Sequence, residues 1–526
     1  MRDLHRPGRS PVMAPDAMIA TSHPLASQVG IDILKSGGNA VDAAIAACAT
    51  LCVVEPAMTG IGGDCFALYA PDGASQPVTI NGSGRAPAGA SVDALLERGV
   101  STIEVQSPHA VTVPGAVAAW CRLNADYGRK GLDELLAPAI HYAENGYPVA
   151  QRVGSDWAGL IPKLMADAVS SRKMTLDGSA PRVGTIFRQP ELGSTLRRIA
   201  KQGRDGFYTG PVADDIVERL RGLGGLHTLD DFAGCEPEYV SPISTDYRGF
   251  TVYECPPNGQ GICALMLLNI LSRHQPGGMS EVDRVHLMAE AAKRAYRQRD
   301  RYVTDPGFCT VPVDWLLSGE HAARLDALID PARSTEMAET DFPDHEDTTY
   351  LCCVDADGNA ISFINSLFAG FGSGIMAERS GVMLQNRGSS FRVDHDHANR
   401  IEGGKRPMHT IIPGMVMKDN AAVAPFGVMG GHYQPVGHAS LLSHVLDRGL
   451  DIQEAMDEPR SLAINGVLQV ENAFAPETYV ELERRGHVLE HVAAPLGGSQ
   501  CVWIDRTEGV LIGGSDPRKD GCAIGY

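Results

Sequence analysis

Apolar positions in the first part of the chain recur with the period of an α-helix. Residues 24–36 have this period, and Gly37-Gly38 after them is a typical helix C-cap signal. Asn39 can cap the next helix, and residues 40–51 of that helix are apolar almost all round. A helix without a polar face must be buried, and its small residues allow close contact with a neighbour.

Residues 130–330 are mainly helical in pattern, whereas short apolar runs separated by glycines dominate after Thr348. The period predicts helices near 132–144, 190–203, 211–223, 261–273 and 281–298, with one strand at 250–255. Later strands are predicted at 348–355, 359–367, 380–385, 411–418, 422–427, 467–471, 500–505 and 509–513, and helices near 435–448, 452–458 and 476–485. This order predicts sheets covered by helices.

A glycine-rich turn at residues 59–64 leads into a predicted strand at 65–70. Turns of this kind can bind phosphate, but this one lacks the GxGxxG spacing. A strand follows it, so no helix N-terminus would face an anion. The turn therefore does not predict a nucleotide site.

Residues 345–363 read as a polar loop, a strand, a tight turn and a second strand. Asp357-Gly358 between apolar, β-branched runs predicts a hairpin with a two-residue turn. Thr348 opens the first strand after residues 330–347, a polar and acidic segment that we expect to be an exposed loop or linker. A chain cut before Thr348 would give its hydroxyl an adjacent amine as base. On this stretch alone, β-propensity is the simpler interpretation of the threonine pair.

Composition excludes several classes of partner. The net charge of −19 argues against nucleic acid or an anionic membrane surface as the main partner. No stretch approaches the roughly 18 uninterrupted apolar residues of a membrane span. No apolar core follows the basic residues 1–10, so we expect no secretory signal. The 12 scattered cysteines suggest buried, reduced thiols in a cytoplasmic protein. Adjacent Cys352 and Cys353 should point to opposite faces of their strand.

Two further features have alternative interpretations. His286 and Glu290 share one helix face, but no third ligand is nearby, so we expect a helix-face contact and predict neither a metal nor a cofactor. Residues 78–87 read as a strand that runs into a flexible loop, and Arg85 is the single arginine of this loop. It could bind a substrate carboxylate through two hydrogen bonds, or it could be an exposed loop arginine.

Taken in order, several motifs resemble the gamma-glutamyltranspeptidase family along almost the whole chain. They are residues 36–44 (SGGNAVDAA), 60–63 (GIGG), 112–115 (TVPG), 347–349 (DTT), 354–360 (VDADGNA), 371–375 (FGSGI), 405–407 (KRP), 430–431 (GG) and 514–518 (GSDPR). The resemblance implies an α+β fold, namely a four-layer αββα sandwich of the N-terminal-nucleophile hydrolase type. It also implies one precursor that cuts itself between Asp347 and Thr348 into two intertwined subunits, residues 1–347 and 348–526.

The resemblance implies roles for individual residues. The Thr348 hydroxyl would attack the Asp347 carbonyl to form an ester that water resolves. The freed amine, with a reference pKa of about 8, would then serve as base while an acyl-enzyme forms on Thr348. Gly430-Gly431 would supply backbone N–H groups to the oxyanion. Thr349 and Ser366 fall where the family has hydroxyls beside the nucleophile.

The chain departs from the transpeptidase pattern at four places that concern the substrate. Ser389-Ser390 stand in place of an acidic residue that binds the glutamyl amino group, Phe368 in place of an asparagine, His409-Thr410 in place of two serines, and Ser83 in place of an arginine, with Arg85 two residues later. A pocket without that carboxylate has no reason to bind an ammonium group. We therefore expect an acyl group without an α-amino group, whose carboxylate binds Arg85 or another arginine. Phe368 and His409 would fill the space left by a glutamyl chain.

This pattern resembles the oxamate amidohydrolase branch of the family. The leading hypothesis is therefore an amidohydrolase that acts on a small carboxylated amide such as oxamate. Alternatives are a gamma-glutamyl hydrolase or transpeptidase, a cephalosporin-type side-chain acylase, and a degenerate relative that only binds. The expected partners are a small-molecule amide and the chain's own second fragment, and a dimer of these heterodimers stays open.

Overall fold

The computed structural model describes residues 8–336 and 346–526. Its strands are β1 (Val12–Ala14), β2 (Met18–Thr21), β3 (Asp64–Ala70), β4 (Val78–Gly82), β5 (Tyr147–Pro148), β6 (Ile186–Phe187), β7 (Glu238–Val240), β8 (Ile243–Tyr247), β9 (Phe250–Glu254), β10 (Glu346–Val354), β11 (Ala360–Ala369), β12 (Met376–Ala377), β13 (Val382–Met383), β14 (Gly414–Lys418), β15 (Ala421–Met429), β16 (Ser461–Ile464), β17 (Val467–Val470), β18 (Leu489–His491), β19 (Gly498–Asp505), β20 (Val510–Ser515) and β21 (Cys522–Gly525).

The α-helices that the sequence predicts begin and end close to the predicted limits, and the structure adds several shorter ones between them. They are α1 (Pro24–Lys35), α2 (Ala40–Val54), α3 (Val92–Leu96), α4 (Ala116–Tyr127), α5 (Leu132–Asn145), α6 (Gln151–Gly159), α7 (Ile161–Met165), α8 (Ala168–Met174), α9 (Pro190–Gln202), α10 (Asp205–Tyr208), α11 (Pro211–Gly222), α12 (Leu229–Ala233), α13 (Gly261–Leu271), α14 (Glu281–Tyr302), α15 (Val313–Leu316), α16 (Gly319–Asp326), α17 (Gln434–Leu446), α18 (Ile452–Asp457) and α19 (Pro476–Arg484). No helix of the described residues is both long and apolar enough to cross a membrane.

Two antiparallel sheets form the centre of the molecule, and in the described part of the chain each has seven strands. The front sheet has the order β21-β2-β10-β11-β3-β4-β7, and the back sheet has the order β1-β20-β19-β15-β14-β9-β8. Each sheet combines strands from before and after Thr348. The two parts of the chain therefore share both sheets and one core.

Helices cover the outer face of each sheet. One apolar cluster, which includes Tyr350 and Met415, lies between the sheets. A second cluster joins the front sheet to α1, α2, α4 and α5, and a third joins the back sheet to α13, α14, α17 and α18. Cys352 belongs to the inter-sheet cluster and Cys353 to the helical one, as the alternation of a strand requires. The predicted αββα sandwich is therefore confirmed.

The helix predictions for the N-terminal segment are confirmed in detail. Asn39 caps α2, and its side chain and that of Asp42 form a reciprocal capping box. Every residue of α2 is buried. By contrast, the strand predicted at 380–385 shrinks to β13, because Gly381 at φ 68° turns the chain immediately before it.

The predicted hairpin is present, but the prediction of a two-residue turn is wrong. Residues 355–359 form the loop between β10 and β11, and its left-handed residue is Gly358 at φ 83°. Asp355 Oδ1 accepts hydrogen bonds from the backbone N–H groups of Asp357 and Asn359, each at 3.0 Å. Asp355 Oδ2 accepts from the N–H of Ala40 at 2.9 Å, at the start of α2. The loop is longer because Asp355 also holds the N-terminus of a helix.

The glycine-rich turn packs against β11. A Cβ atom on Gly63 would lie 2.1 Å from the carbonyl oxygen of Ser366, which is backbone and has little room to move. The turn therefore needs glycine for close approach to this strand. The predicted linker 330–347 lies partly outside the described residues, and residues 330–333 and 336 in it are exposed.

We expect Gly63→Ala to destabilise the fold by about 1–3 kcal/mol or more, as overpacking of a tight contact does. Urea unfolding of the purified variant measures this loss. Gly89→Ala is the matched control, because a Cβ atom there meets nothing within 4 Å. Equal stability of the two variants would contradict the packing role of Gly63.

Candidate active site

The Asp347–Thr348 bond lies inside β10, where the pairing with β11 slips. Asp347 pairs with Phe368 and Thr349 pairs with Asn365, so the register shifts across Thr348. A β-bulge of this kind redirects a side chain and often lies beside an active site. Thr348 is 1% exposed. The predicted nucleophile therefore occupies a local irregularity in a buried strand.

Of the two hydroxyl groups predicted to lie beside that of Thr348, the one of Ser366 is in contact with it. Thr348 Oγ1 lies 3.1 Å from Ser366 Oγ, and either hydroxyl can donate. Ser366 Oγ also accepts a hydrogen bond from the N–H of Phe368 at 2.8 Å. Thr349 Oγ1 donates to the carbonyl of Asn365 at 3.3 Å. The structure therefore brings Thr348 and Ser366 into contact and places Thr349 next to them, while their catalytic roles stay predictions.

A buried arginine, Arg387, lies on the other side of Ser366. It begins a short 3₁₀-helix, Arg387–Ser390, and its side chain is inaccessible to solvent. Its Nη1 donates to Thr410 Oγ1 at 2.7 Å and its Nη2 to Ser366 Oγ at 3.4 Å. The sequence pattern does not single out Arg387. The available signal was its position just before Ser389-Ser390, where the chain departs from the family.

The ring of Phe368 packs against the guanidinium of Arg387. The centre of the guanidinium lies 4.0 Å from the centroid of the Phe368 ring, a cation–π contact. Phe368 has φ 81°, a left-handed conformation that a bulky residue rarely adopts. Such strained backbone is concentrated at functional sites, where the surrounding structure maintains it. The residue that replaces an asparagine of the family therefore packs against an arginine.

The hydrogen bonds that Ser389 and Ser390 form in the described part of the chain join them to Asn386 and Asn399. Ser389 Oγ donates to the carbonyl of Asn386 at 2.9 Å. The carbonyl of Ser390 accepts from Asn399 Nδ2 at 2.7 Å. The two serines thus provide no carboxylate at the position where the family has one.

His409 is fully buried and acts on the site through its neighbours. Its Nδ1 accepts from the N–H of Ile411 at 3.3 Å, so its proton lies on Nε2, which donates to Asp64 Oδ2 at 3.0 Å. Burial and, to a lesser degree, the charge of Arg387 lower the pKa of His409 to about 4. His409 is therefore a neutral residue beside Thr410, whose hydroxyl binds Arg387.

This lowered pKa predicts that His409 makes the protein less stable in acid. The unfolded chain protonates His409 near pH 6.5, whereas the folded protein does so near pH 4. The contribution of neutral His409 to the free energy of unfolding is therefore complete above pH 6.5. Up to about 3 kcal/mol of it is lost as the pH falls through 4. Urea unfolding from pH 7 to pH 4.5 should show a smaller stability loss in His409→Gln, which cannot titrate. Equal losses in both proteins would contradict this assignment.

Gly430 follows β15, and Gly431 begins a 3₁₀-helix, Gly431–Tyr433, that packs against β10. Both glycines are left-handed, with φ 113° and 52°. This conformation favours glycine and lets the backbone approach a reacting carbonyl closely. The predicted oxyanion loop is thus next to the strand that carries Thr348.

Arg85 lies away from these residues. Its side chain is 38% exposed, and its Nη2 lies 2.6 Å from Glu238 Oε1. Its Nη1 donates to the carbonyl of Gly404 at 2.8 Å. In the described residues it contacts neither Thr348 nor Arg387. Of the two alternative interpretations of Arg85, its observed position fits that of a loop arginine at the surface.

The His286–Glu290 pair also serves the fold. His286 Nδ1 lies 2.8 Å from His487 Nε2, and Glu290 Oε1 lies 2.6 Å from Lys293 Nζ. The described residues contain no group of three or more His, Cys, Asp or Glu side chains that could hold a metal ion. The two side chains are thus occupied by other contacts.

The chain is similar to known proteins along nearly its whole length. The family model described as gamma-glutamyltranspeptidase matches residues 26–526. The glutathione hydrolase-like YwrD proenzyme of Bacillus subtilis is 39% identical over 98% of this chain and 99% of its own. The oxamate amidohydrolase proenzyme of Klebsiella pneumoniae is 34% identical over 97% of this chain and 98% of its own.

Among solved structures, a cephalosporin acylase from Bacillus halodurans matches with a TM-score of 0.94 and 41% identity, covering 100% of this chain and 98% of that one. Sequence, fold and motif order thus agree along the whole chain. The chain therefore belongs to the gamma-glutamyltranspeptidase family and is a self-processing amide hydrolase of the N-terminal-nucleophile type.

Proposed function

We propose that the chain cuts itself between Asp347 and Thr348 and then hydrolyses a small amide whose carboxylate lies next to the amide carbon. Oxamate is the lead substrate. The observation that carries this proposal is the buried Arg387 guanidinium, which shares Ser366 with Thr348. Residues 1–347 and 348–526 would stay together after the cut, because both contribute strands to each sheet.

The position of Arg387 favours a short acyl group. In oxamate the carboxylate carbon is bonded directly to the carbon that Thr348 would attack, so a carboxylate-binding group must lie very near the nucleophile. Arg387 reaches Ser366 Oγ at 3.4 Å, and Ser366 Oγ is 3.1 Å from Thr348 Oγ1. The planar guanidinium can bind a carboxylate through two charge-assisted hydrogen bonds. In a gamma-glutamyl group the carboxylate is several bonds further from the reacting carbon.

The reaction would proceed through an ester on Thr348. The amine of Thr348 takes the hydroxyl proton while Oγ1 attacks the amide carbon. The N–H groups of Gly430 and Gly431 stabilise the resulting oxyanion, a contribution of typically about 2.7–4 kcal/mol per donor. The amine then gives the proton to the departing ammonia. Water attacks the ester by the same route, releasing oxalate and restoring the threonine.

The environment of Ser389 and Ser390 argues against a gamma-glutamyl substrate. An α-ammonium group needs a carboxylate or several acceptors in a buried pocket. Ser389 Oγ is already bonded to the backbone of Asn386, and Ser390 Oγ is a neutral hydroxyl. A side-chain acylase is the second candidate, because a cephalosporin acylase shares 41% identity and a TM-score of 0.94 with this chain.

Parallel assays of the processed protein distinguish these substrates. Oxamate, a gamma-glutamyl anilide and an acylated cephalosporin are offered at equal concentrations, with release of ammonia, aniline and the free cephalosporin amine as readouts. Uncut Thr348→Ala protein serves as the blank. We expect oxamate to have the highest kcat/KM. Faster turnover of the anilide or the cephalosporin would refute the proposed substrate.

A further inference from the structure

Gln260 is a buried amide that joins the two segments on which the proposed reaction depends. It lies at the N-cap of α13 and is inaccessible to solvent. Its Nε2 donates to the carbonyl of Thr410 at 2.7 Å and to the carbonyl of Gly431 at 2.9 Å. Thr410 holds Arg387, and Gly431 belongs to the predicted oxyanion loop. One side chain therefore connects the carboxylate-binding side of the site to its oxyanion side.

The orientation of this amide is determined by its partners. Two carbonyl oxygens face its Nε2, and only an N–H donor satisfies them. Arg299 Nη1 donates to its Oε1 at 2.7 Å. A flipped amide would place oxygen against carbonyls and nitrogen against a guanidinium. Both donor hydrogens and the acceptor are therefore used in one arrangement.

Residues of α14 support the same loop from behind. Arg299 is fully buried, and its Nη1 lies 2.8 Å from His432 Nδ1, one residue after Gly431. The hydroxyl of Tyr296 donates to the carbonyl of His432 at 2.5 Å. Left-handed glycines have no side chain to fix their backbone, so the loop depends on such outside contacts.

We infer that Gln260, supported by Arg299 and Tyr296, is a positioning residue that holds the oxyanion loop and the Arg387-bearing segment in register. This inference rests on the proposed roles of Gly430-Gly431 and Arg387. Gln260 touches neither Thr348 nor Arg387 directly in the described structure, so its effect passes through backbone carbonyls. Misplacement of a catalytic group by about 1 Å can reduce a rate by about 100-fold.

Gln260→Met tests the inference, because methionine has a similar length but no N–H donor. Two substrates are used with the full-length, self-processed protein: p-nitrophenyl acetate, which has no carboxylate, and oxamate. We expect kcat for the ester to fall by about 10-fold, because this substrate depends on the oxyanion loop and not on a carboxylate-binding group. For oxamate we expect about a 100-fold loss in kcat/KM, including a raised KM. The additional loss should disappear when Gln260→Met is made in Arg387→Ala protein.

Gln189→Met is the matched control, since Gln189 is also buried and donates to the carbonyl of Val53 at 2.8 Å, a residue outside both segments that Gln260 joins. Folded Gln260→Met protein that fails to cut itself would also support the inference, because under the proposed mechanism the same loop would stabilise the oxyanion formed at the Asp347 carbonyl. If Gln260→Met does not fold, Tyr296→Phe removes a single hydroxyl and should slow both substrates about fivefold.

Losses in Gln260→Met no larger than those in Gln189→Met, or full activity in Tyr296→Phe, would overturn the inference. The two substrates separate this failure from that of the proposed function. If the wild-type protein does not hydrolyse oxamate, the proposed substrate is wrong. Hydrolysis of p-nitrophenyl acetate still measures the effect of Gln260 on the oxyanion loop.

Discussion

Replacement of Thr348 by alanine is expected to leave one uncut chain of 56.0 kDa on a denaturing gel. The wild-type protein should show two bands, from the 347 residues up to Asp347 and the 179 that begin at Thr348. Alanine removes the one hydroxyl that would both attack the Asp347 carbonyl and later form the acyl-enzyme. Loss of a nucleophile costs about 10⁶-fold in kcat, so turnover of oxamate should fall to background.

Two variants serve as controls for this result. Thr348→Ser keeps a hydroxyl at the bulge in β10 and should still cut. Thr349→Ala removes a hydroxyl that donates to the carbonyl of Asn365 rather than to Thr348, so two bands should remain. A single band in the wild type, or two bands from Thr348→Ala, would refute self-cleavage at this bond.

Replacement of Arg387 by alanine is expected to lower kcat/KM for oxamate by about 100-fold. A hydrogen bond to a charged group contributes about 1.5–3 kcal/mol, and each 1.36 kcal/mol corresponds to a factor of ten in rate. Arg387 is fully buried, so solvent does not weaken its attraction for a carboxylate. Arg387→Lys should recover only part of the loss, because an ammonium lacks the planar pair of donors. Initial rates of ammonia release measure both variants.

Arg85→Ala is the matched control for this prediction. Arg85 is 38% exposed and pairs with Glu238 at the surface, and such pairs contribute roughly 0–1 kcal/mol. Its kcat/KM should therefore stay close to that of the wild type. A large loss in Arg85→Ala together with a small loss in Arg387→Ala would show that the substrate carboxylate binds Arg85 and not Arg387. An Arg387→Ala variant that slows p-nitrophenyl acetate equally would indicate general damage.

Most elements could be predicted because their causes are local. The α2 helix follows from an N-cap at Asn39 and an apolar run, and both lie within a few residues. The β10–β11 hairpin follows from two apolar runs around a glycine. The turn length did not follow, because Asp355 also caps a helix more than 300 residues earlier in the chain.

The candidate site shows the same division. The order of the motifs along the chain was sufficient to identify the family and to single out Thr348, Ser366 and Gly430-Gly431. Each motif is a short run of consecutive residues, so it can be read without the fold. Which arginine lies beside the nucleophile depended on packing between distant segments. Arg85 and Arg387 both follow strands in glycine-containing loops, and nothing local distinguishes them. The fold directs one to Glu238 at the surface and buries the other on Phe368.

The sequence alone was therefore enough to predict most of the element order from periodicity and caps, since these signals act over a few residues. The family resemblance of its short motifs implied the αββα class and Thr348 as the nucleophile. Tertiary structure decided the bulge at Thr348, the partners of Arg387 and the cross-link by Gln260. Gln260 and Gly431 are 171 residues apart in the chain and meet through one hydrogen bond. Such contacts form only when both sheets and their helices are assembled, because burial then removes water as an alternative partner for these polar groups.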